Sequence, residues 1–203
     1  ELSVLDGQKI SWRGHSDTET LLAGIEFWGL EETLKKLIGM FSFALWDRRE
    51  EQLFLARDRV GEKPLYYGWQ GEGGKASFLF GSELKALRVH PSFKSEINRD
   101  VISLLLRHSC IPVPYTIFCG ISKLLPGSIL RLSLKNREPK VWSYWSAEEV
   151  VNEGAATTHN GSDVEVLGEL EGLLKQSIKQ QMVADVPLGA FLSGGIDSSL
   201  VVA

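Results

Sequence analysis

The chain has 203 residues, 43% hydrophobic and 24% charged, enough for one good core and the beginning of a second domain. A formal net charge of −4 supplies no basic face for a nucleic-acid backbone. No apolar run approaches the roughly 20 residues that span a bilayer, so neither nucleic acid nor membrane is expected as a partner.

Ser16 with Glu19 three residues later has the pattern of a capping box, and Leu21, Leu22, Ile25 and Trp28 fall on one helical face. That predicts a helix over 16–28, ended by Gly29, with a second short helix over 30–37. From Gly39 the pattern shifts to short aromatic and apolar runs at 39–47, 51–58, 64–69 and 76–83, divided by turn-prone stretches. These are antiparallel strands. The first has apolar residues on both faces, which predicts a strand covered on both sides in a sandwich with helical outer layers.

Residues 83–89 and 100–108 read as helices, 111–127 as a long ordered loop with three prolines, and 128–134 as a strand with clean alternation. Residues 146–163 have the small, polar composition of a linker. A long amphipathic helix over 164–183 leads to an expected buried strand at 187–194, a glycine turn and a newly begun helix. That order suggests a parallel α/β domain. The first methionine is Met40, and this last helix has barely started at Ala203, so a piece cut at both ends is expected.

Cys110 and Cys119 are too few for a disulfide framework and are read as reduced packing residues of a cytoplasmic protein. His15, His90, His108 and His159 lack metal-ligand spacing and are read as bystanders.

The sharpest local signal is Ser193-Gly194-Gly195-Ile196-Asp197-Ser198-Ser199 between an apolar run and an apolar helix. Glycines admit close backbone approach, and the first amides of a helix have no internal partner, which together make an anion cradle. No lysine follows, so it is not a Walker-type loop. Asp197 beside a phosphate is repulsive unless a divalent cation mediates, which points to magnesium. A bare Ser-Gly-Gly also fits an ordinary strand–helix turn with Ser or Asp as N-cap.

The complete string resembles the SGGxDS pyrophosphate loop of N-type ATP pyrophosphatases. Upstream, GHSDTE (14–19), GMFSFALWD (39–47), ARDRVGEKPLYY (56–67) and FGSELKAL (80–87) resemble the C-terminal half of a class II glutamine amidotransferase domain. Together they resemble asparagine synthetases of the bacterial B type. The fold class implied is α/β: the C-terminal part of an αββα N-terminal-nucleophile hydrolase domain over 1–145, then the linker, then the start of a parallel α/β ATP-pyrophosphatase domain over 164–203.

The resemblance assigns Asp17 to the α-amino group of glutamine. It assigns Ser193, Gly194, Gly195, Asp197 and Ser198 to the pyrophosphate part of ATP, with Asp197 toward Mg2+ and Leu192 near the adenine. Arg57, Asp58 and Lys63 read as a structural hairpin whose Arg57–Asp58 pair fixes the turn, with a share in an ammonia path as the alternative. Ser82 and Glu83 read as scaffold. The family nucleophile, an N-terminal cysteine, is not in this chain, which is therefore expected not to hydrolyse glutamine; lacking the first strands of that domain, with sheet edges left unpaired, it is also expected to fold poorly by itself.

The reaction implied joins two halves. Glutamine releases ammonia through a thioester, and aspartate is adenylated by ATP and Mg2+, after which ammonia passed through an internal channel displaces AMP. Glutamine, aspartate and ATP are the partners implied, and a homodimer is left open. The same motifs fit an amidotransferase for a sugar-acid, cell-wall or natural-product carboxylate, and, less well, a β-lactam synthetase-like ligase or a non-catalytic binding protein.

Overall fold

Short alternating runs divided by polar turns can bury one or both faces only by pairing, and the computed structural model shows that pairing as antiparallel throughout. It describes residues 12–14, 16–157 and 159–203, with the backbone of a two-residue hairpin, β1 (Val4–Leu5) and β2 (Gln8–Lys9). His15 lies outside the described residues. The chain divides into two compact units, 1–149 and 150–203.

In the first unit, α1 (Asp17–Trp28) and α2 (Leu30–Lys36) meet at Gly29. Two sheets follow. One has the order β3 (Ser42–Asp47), β4 (Gln52–Arg57), β8 (Ser128–Ser133), β9 (Asn136–Ser143). The other has the order β6 (Ser77–Gly81), β5 (Tyr66–Gln70), β7 (Ser122–Lys123). Helices α3 (Leu84–Arg88) and α4 (Asp100–His108) come between β6 and β7 in the chain.

The strand period of two separates three cores. Leu55, Leu130 and Leu132 face Leu65 and Leu124 between the sheets, with Tyr67, Trp69 and Phe78 packed on them. Ala56 and Ile129 point the other way, against Leu34 of α2 and Tyr144. Beyond the second sheet, Leu79 and Ile121 pack with Leu87 of α3 and Phe118. Helix, sheet, sheet and helix are therefore stacked in that order. Leu55, Leu124, Ile129 and Leu130 are fully buried, each worth roughly 1.5–3 kcal/mol of transfer free energy.

Several expectations change. Only one face of β3 is covered: Ala44 is exposed and Trp46 is 45% exposed, because no β3 side chain joins the core between the sheets. The alternation expected at 128–134 is not clean, since Ile129 and Leu130 are both fully buried, on opposite faces. The 111–127 loop contributes β7, which pairs with β5 through Tyr66–Lys123 and Tyr67–Ser122. The start of α1 is no capping box. The Ser16 hydroxyl accepts from the Thr18 amide at 3.1 Å, whereas Glu19 accepts from Arg13 and Gly14 at 2.9 Å each. Cys110 is exposed rather than packed, and Cys119 is half-buried.

Around and beyond the unit boundary lie α5 (Ala147–Ala156), α6 (Asp163–Gln181) and α7 (Ile196–Val202). Helix α5 falls inside the stretch read as linker. A true capping box opens α6: Ser162 accepts from the Glu165 amide, and the Glu165 carboxylate accepts from the Ser162 amide at 2.8 Å. The strand expected at 187–194 does not form. A strand needs a ladder partner, and the described residues of this unit offer no second extended segment. The parallel sheet expected here is accordingly absent among the described residues.

Candidate functional site

Asp17 is the first residue of α1, held there by the Ser16 cap with its extended backbone. Its carboxylate is exposed, and its side-chain contacts to the Ser16 and Thr18 hydroxyls are long, 3.4 Å each, leaving acceptor capacity on both oxygens. It lines a cleft of about 570 Å3 whose other walls are Thr18, Thr20 and Leu21 of α1, the 37–43 segment and Lys63. The walls are largely apolar, with the Thr18, Thr20 and Ser42 hydroxyls among them. Among the described residues, Asp17 and Lys63 are the charged ones lining it. An anion, a cation and hydroxyls around an apolar floor suit a small zwitterion.

A buried pair underlies this cleft. Asp58 is 1% exposed, and its carboxylate accepts from the amides of Glu62 and Lys63 at 2.9 Å each, with a longer contact of 3.4 Å from the Phe41 amide. Its own amide donates to the Phe41 carbonyl at 2.9 Å, and its carbonyl accepts from Gly127 at 2.8 Å. The Arg57 guanidinium donates to three carbonyls: Lys63 at 2.7 Å, Leu124 at 2.6 Å and Gly61 at 2.5 Å. The Tyr144 hydroxyl donates to the Arg57 carbonyl at 3.0 Å. Burial pushes that phenol up to about 12, aided by the Asp58 charge. Burial also pulls Arg57 below its ordinary value, with Asp58 acting in the opposite sense.

The hairpin reading of Arg57 and Asp58 is therefore corrected in its means. The two do not form an ion pair with each other; each grips backbone. The sequence singles out Asp17 but not the 37–43 wall beside it, where Leu37 reads as the end of a helix and Gly39–Phe43 as the beginning of a strand.

The glycine turn lies in the second unit. Gly194 has φ +80°, a conformation that side-chain-bearing residues rarely adopt, and Gly195 caps α7 with an extended backbone. Three hydroxyls gather there: Ser193 lies 3.1 Å from Ser198, and Ser198 and Ser199 donate to the Gly195 carbonyl at 3.1 and 2.8 Å. A shallow hollow of about 450 Å3 is lined by Gly194, Gly195, Ile196 and Ser199. Leu192 is exposed just before the turn, and Asp197 is exposed in the first turn of α7. Ser193, Ser198 and Gly195 are thus linked by hydrogen bonds beside Gly194, whereas of the residues that the resemblance assigns to ATP only Gly194 and Gly195 line the hollow; Leu192, Ser193, Asp197 and Ser198 do not. Among the described residues no three His, Cys, Asp or Glu side chains gather for a metal.

Comparison with known proteins divides the chain in a similar way. A family described as a glutamine amidotransferase domain matches residues 3–145, and one described as asparagine synthase matches residues 169–203. Asparagine synthetase [glutamine-hydrolyzing] 3 of Bacillus subtilis is 37% identical over 94% of this chain and 30% of its own length. Asparagine synthetase [glutamine-hydrolyzing] 1 of the same organism is 32% identical over 98% of this chain and 29% of its own. Amidase chyE of Penicillium rubens is 33% identical over 93% of this chain and 26% of its own. The chain spans less than a third of the length of these curated relatives.

Proposed function

The chain belongs to the glutamine amidotransferase domain family, and from that premise we propose that it is part of an ATP-dependent, glutamine-hydrolysing asparagine synthetase. The observation that carries the reading is the succession in one polypeptide of a matched amidotransferase domain and a matched asparagine synthase segment holding SGGIDSS. Within it, the first unit is the C-terminal part of an N-terminal-nucleophile hydrolase domain. The second is the start of an ATP-pyrophosphatase domain.

In this reading Asp17 takes the α-ammonium of glutamine. A carboxylate with unused acceptor sites at the rim of an apolar cleft is suited to that, since a charge-assisted hydrogen bond gains strength where water is thinned. Ammonia released there passes through an internal channel to the second site. Ser193, Gly194, Gly195 and Ser198 hold the pyrophosphate part of ATP, with Leu192 beside the adenine. Gly194 allows the backbone to approach the phosphates, and hydroxyls now satisfied by each other and by the Gly195 carbonyl turn to them.

Magnesium fits the donor chemistry of the turn. Mg2+ is commonly held by one or two carboxylates plus substrate phosphates, so Asp197 alone suffices on the protein side. When bound, Mg2+ neutralises phosphate charge. Adenylation makes the β-carboxylate of aspartate reactive by converting its oxygen into part of a good leaving group, AMP, through a β-aspartyl-AMP intermediate; pyrophosphate leaves in that step. The setting proposed is cytoplasmic.

The likeness to amidase chyE favours a second reading, in which the same two halves amidate another carboxylate, such as a sugar acid, a cell-wall group or a natural-product precursor. Supplying the full-length protein with aspartate, glutamine, ATP and Mg2+ separates the two. Asparagine is expected. Glutamine hydrolysis without asparagine would transfer the assignment to the second reading.

A further inference from the structure

We propose that Asp58, supported by Arg57, is a positioning residue of the Asp17 cleft, setting where the Phe41 wall and Lys63 stand. This rests on the reading of that cleft as the glutamine site. Two of the cleft's lining residues, Phe41 and Lys63, are distant in sequence, and Asp58 is bonded to both. Lys63 is gripped from two sides: its amide by the Asp58 carboxylate and its carbonyl by the Arg57 guanidinium. A surface-exposed residue between β4 and β5 is thereby held as firmly as one in a ladder.

A tight turn alone does not require this. Burying a carboxylate and a guanidinium is costly, and uncharged Asn or Ser satisfies one or two turn amides at less expense. Only an acceptor-only group with about four lone-pair sites can take the three amides that converge here from two segments. Asn at this position would keep the Glu62 contact but present N–H groups to the Lys63 and Phe41 amides, donor against donor.

The test is glutamine hydrolysis by the full-length protein as wild type, D58N and the milder R57K, with urea midpoints read on the same preparations. The expected result is a KM for glutamine raised about tenfold in D58N, with kcat kept within about threefold, and a smaller KM rise in R57K. A purely structural role lowers the fraction of folded enzyme, which reduces apparent kcat and leaves KM alone. Folded D58N with wild-type KM overturns the proposal, as does loss of folding in both variants. If D58N alone fails to fold, R57K with wild-type KM overturns it and a raised KM sustains it. A wild type that does not hydrolyse glutamine defeats the underlying reading instead, and that arm is visible without any variant.

Discussion

Replacing Gly68 by alanine tests the packing of the two-sheet unit where it is tightest. Gly68 lies in β5 opposite Leu79, and a Cβ added there would sit 1.9 Å from the Gly120 carbonyl oxygen, 2.9 Å from its carbon and 3.0 Å from the Ile121 Cα. All three are backbone atoms, so no side chain can rotate away. Reaching an ordinary contact of 3.4 Å requires β5 and the 120–121 segment to separate by about 1.5 Å. That strains the neighbouring β5–β7 pairs and pulls the Cys119 carbonyl from Gln70, whose side-chain amide, only 4% exposed, donates to it at 2.9 Å. Overpacking costs about 1–3 kcal/mol and an orphaned buried amide about 1–3 more, so a loss of about 3 kcal/mol is expected.

Urea unfolding of the full-length protein, followed by pulsed hydrogen–deuterium exchange of the peptides that contain Tyr66–Gln70 and Ser122–Lys123, reports on the part of the chain that the substitution touches. With an m-value of about 1.5–3 kcal/mol/M, the midpoint is expected to fall by about 1–2 M. A midpoint within about 0.2 M of wild type would show that the sheets are not apposed as described.

Other expectations follow from the two sites. Asp17→Asn removes the charge proposed for the glutamine ammonium, so the KM for glutamine should rise about 10–100-fold while ammonia-driven amidation stays at the wild-type rate; steady-state kinetics with each nitrogen donor checks this. Asp197→Asn should depress ATP–pyrophosphate exchange about 100-fold with glutamine hydrolysis intact, and equal exchange rates would remove Asp197 from the ATP site. Glu165 supplies a pH-dependent cap. Its carboxylate is held below the ordinary 4.5 by the Ser162 amide first and the Ser162 hydroxyl second. A depressed folded-state value means the stabilisation is complete above 4.5 and lost as pH falls through the lowered value. Circular dichroism of a 159–183 peptide should therefore show helicity dropping as the pH is taken down through the lowered value, with the Glu165→Gln peptide flatter in that range.

Much of the first unit was legible because burial there follows short, regular patterns. The runs at 51–58, 64–69 and 76–83 became β4, β5 and β6 with ends moved by three residues or fewer, since polar turns bound each one. Strand β9 was not legible: Asn136–Ser143 carries Lys140, Arg137 and Pro139 and lies mostly exposed at a sheet edge, where a strand keeps its pairing without an apolar signature. Strand β7 is two residues long, too short for any periodicity. The run at 187–194 failed in the opposite way, because its apolar composition describes a strand only when a neighbouring strand is there to receive it.

At the candidate sites, Asp17 and the Ser193–Ser199 turn were singled out through their resemblance to family motifs, since the residue types alone fit ordinary helix starts equally well. The 37–43 wall and the grip of Asp58 on Phe41 were not, because they depend on the 17-residue separation closing in three dimensions.

Nitrogen transfer tests the central claim most directly. The full-length protein is supplied with aspartate, ATP, Mg2+, glutamine labelled with 15N in its amide, and unlabelled ammonium. The account expects asparagine carrying the label in its amide, with AMP and pyrophosphate formed in equal amounts. Asparagine absent, or ADP and phosphate in place of AMP and pyrophosphate, would contradict it.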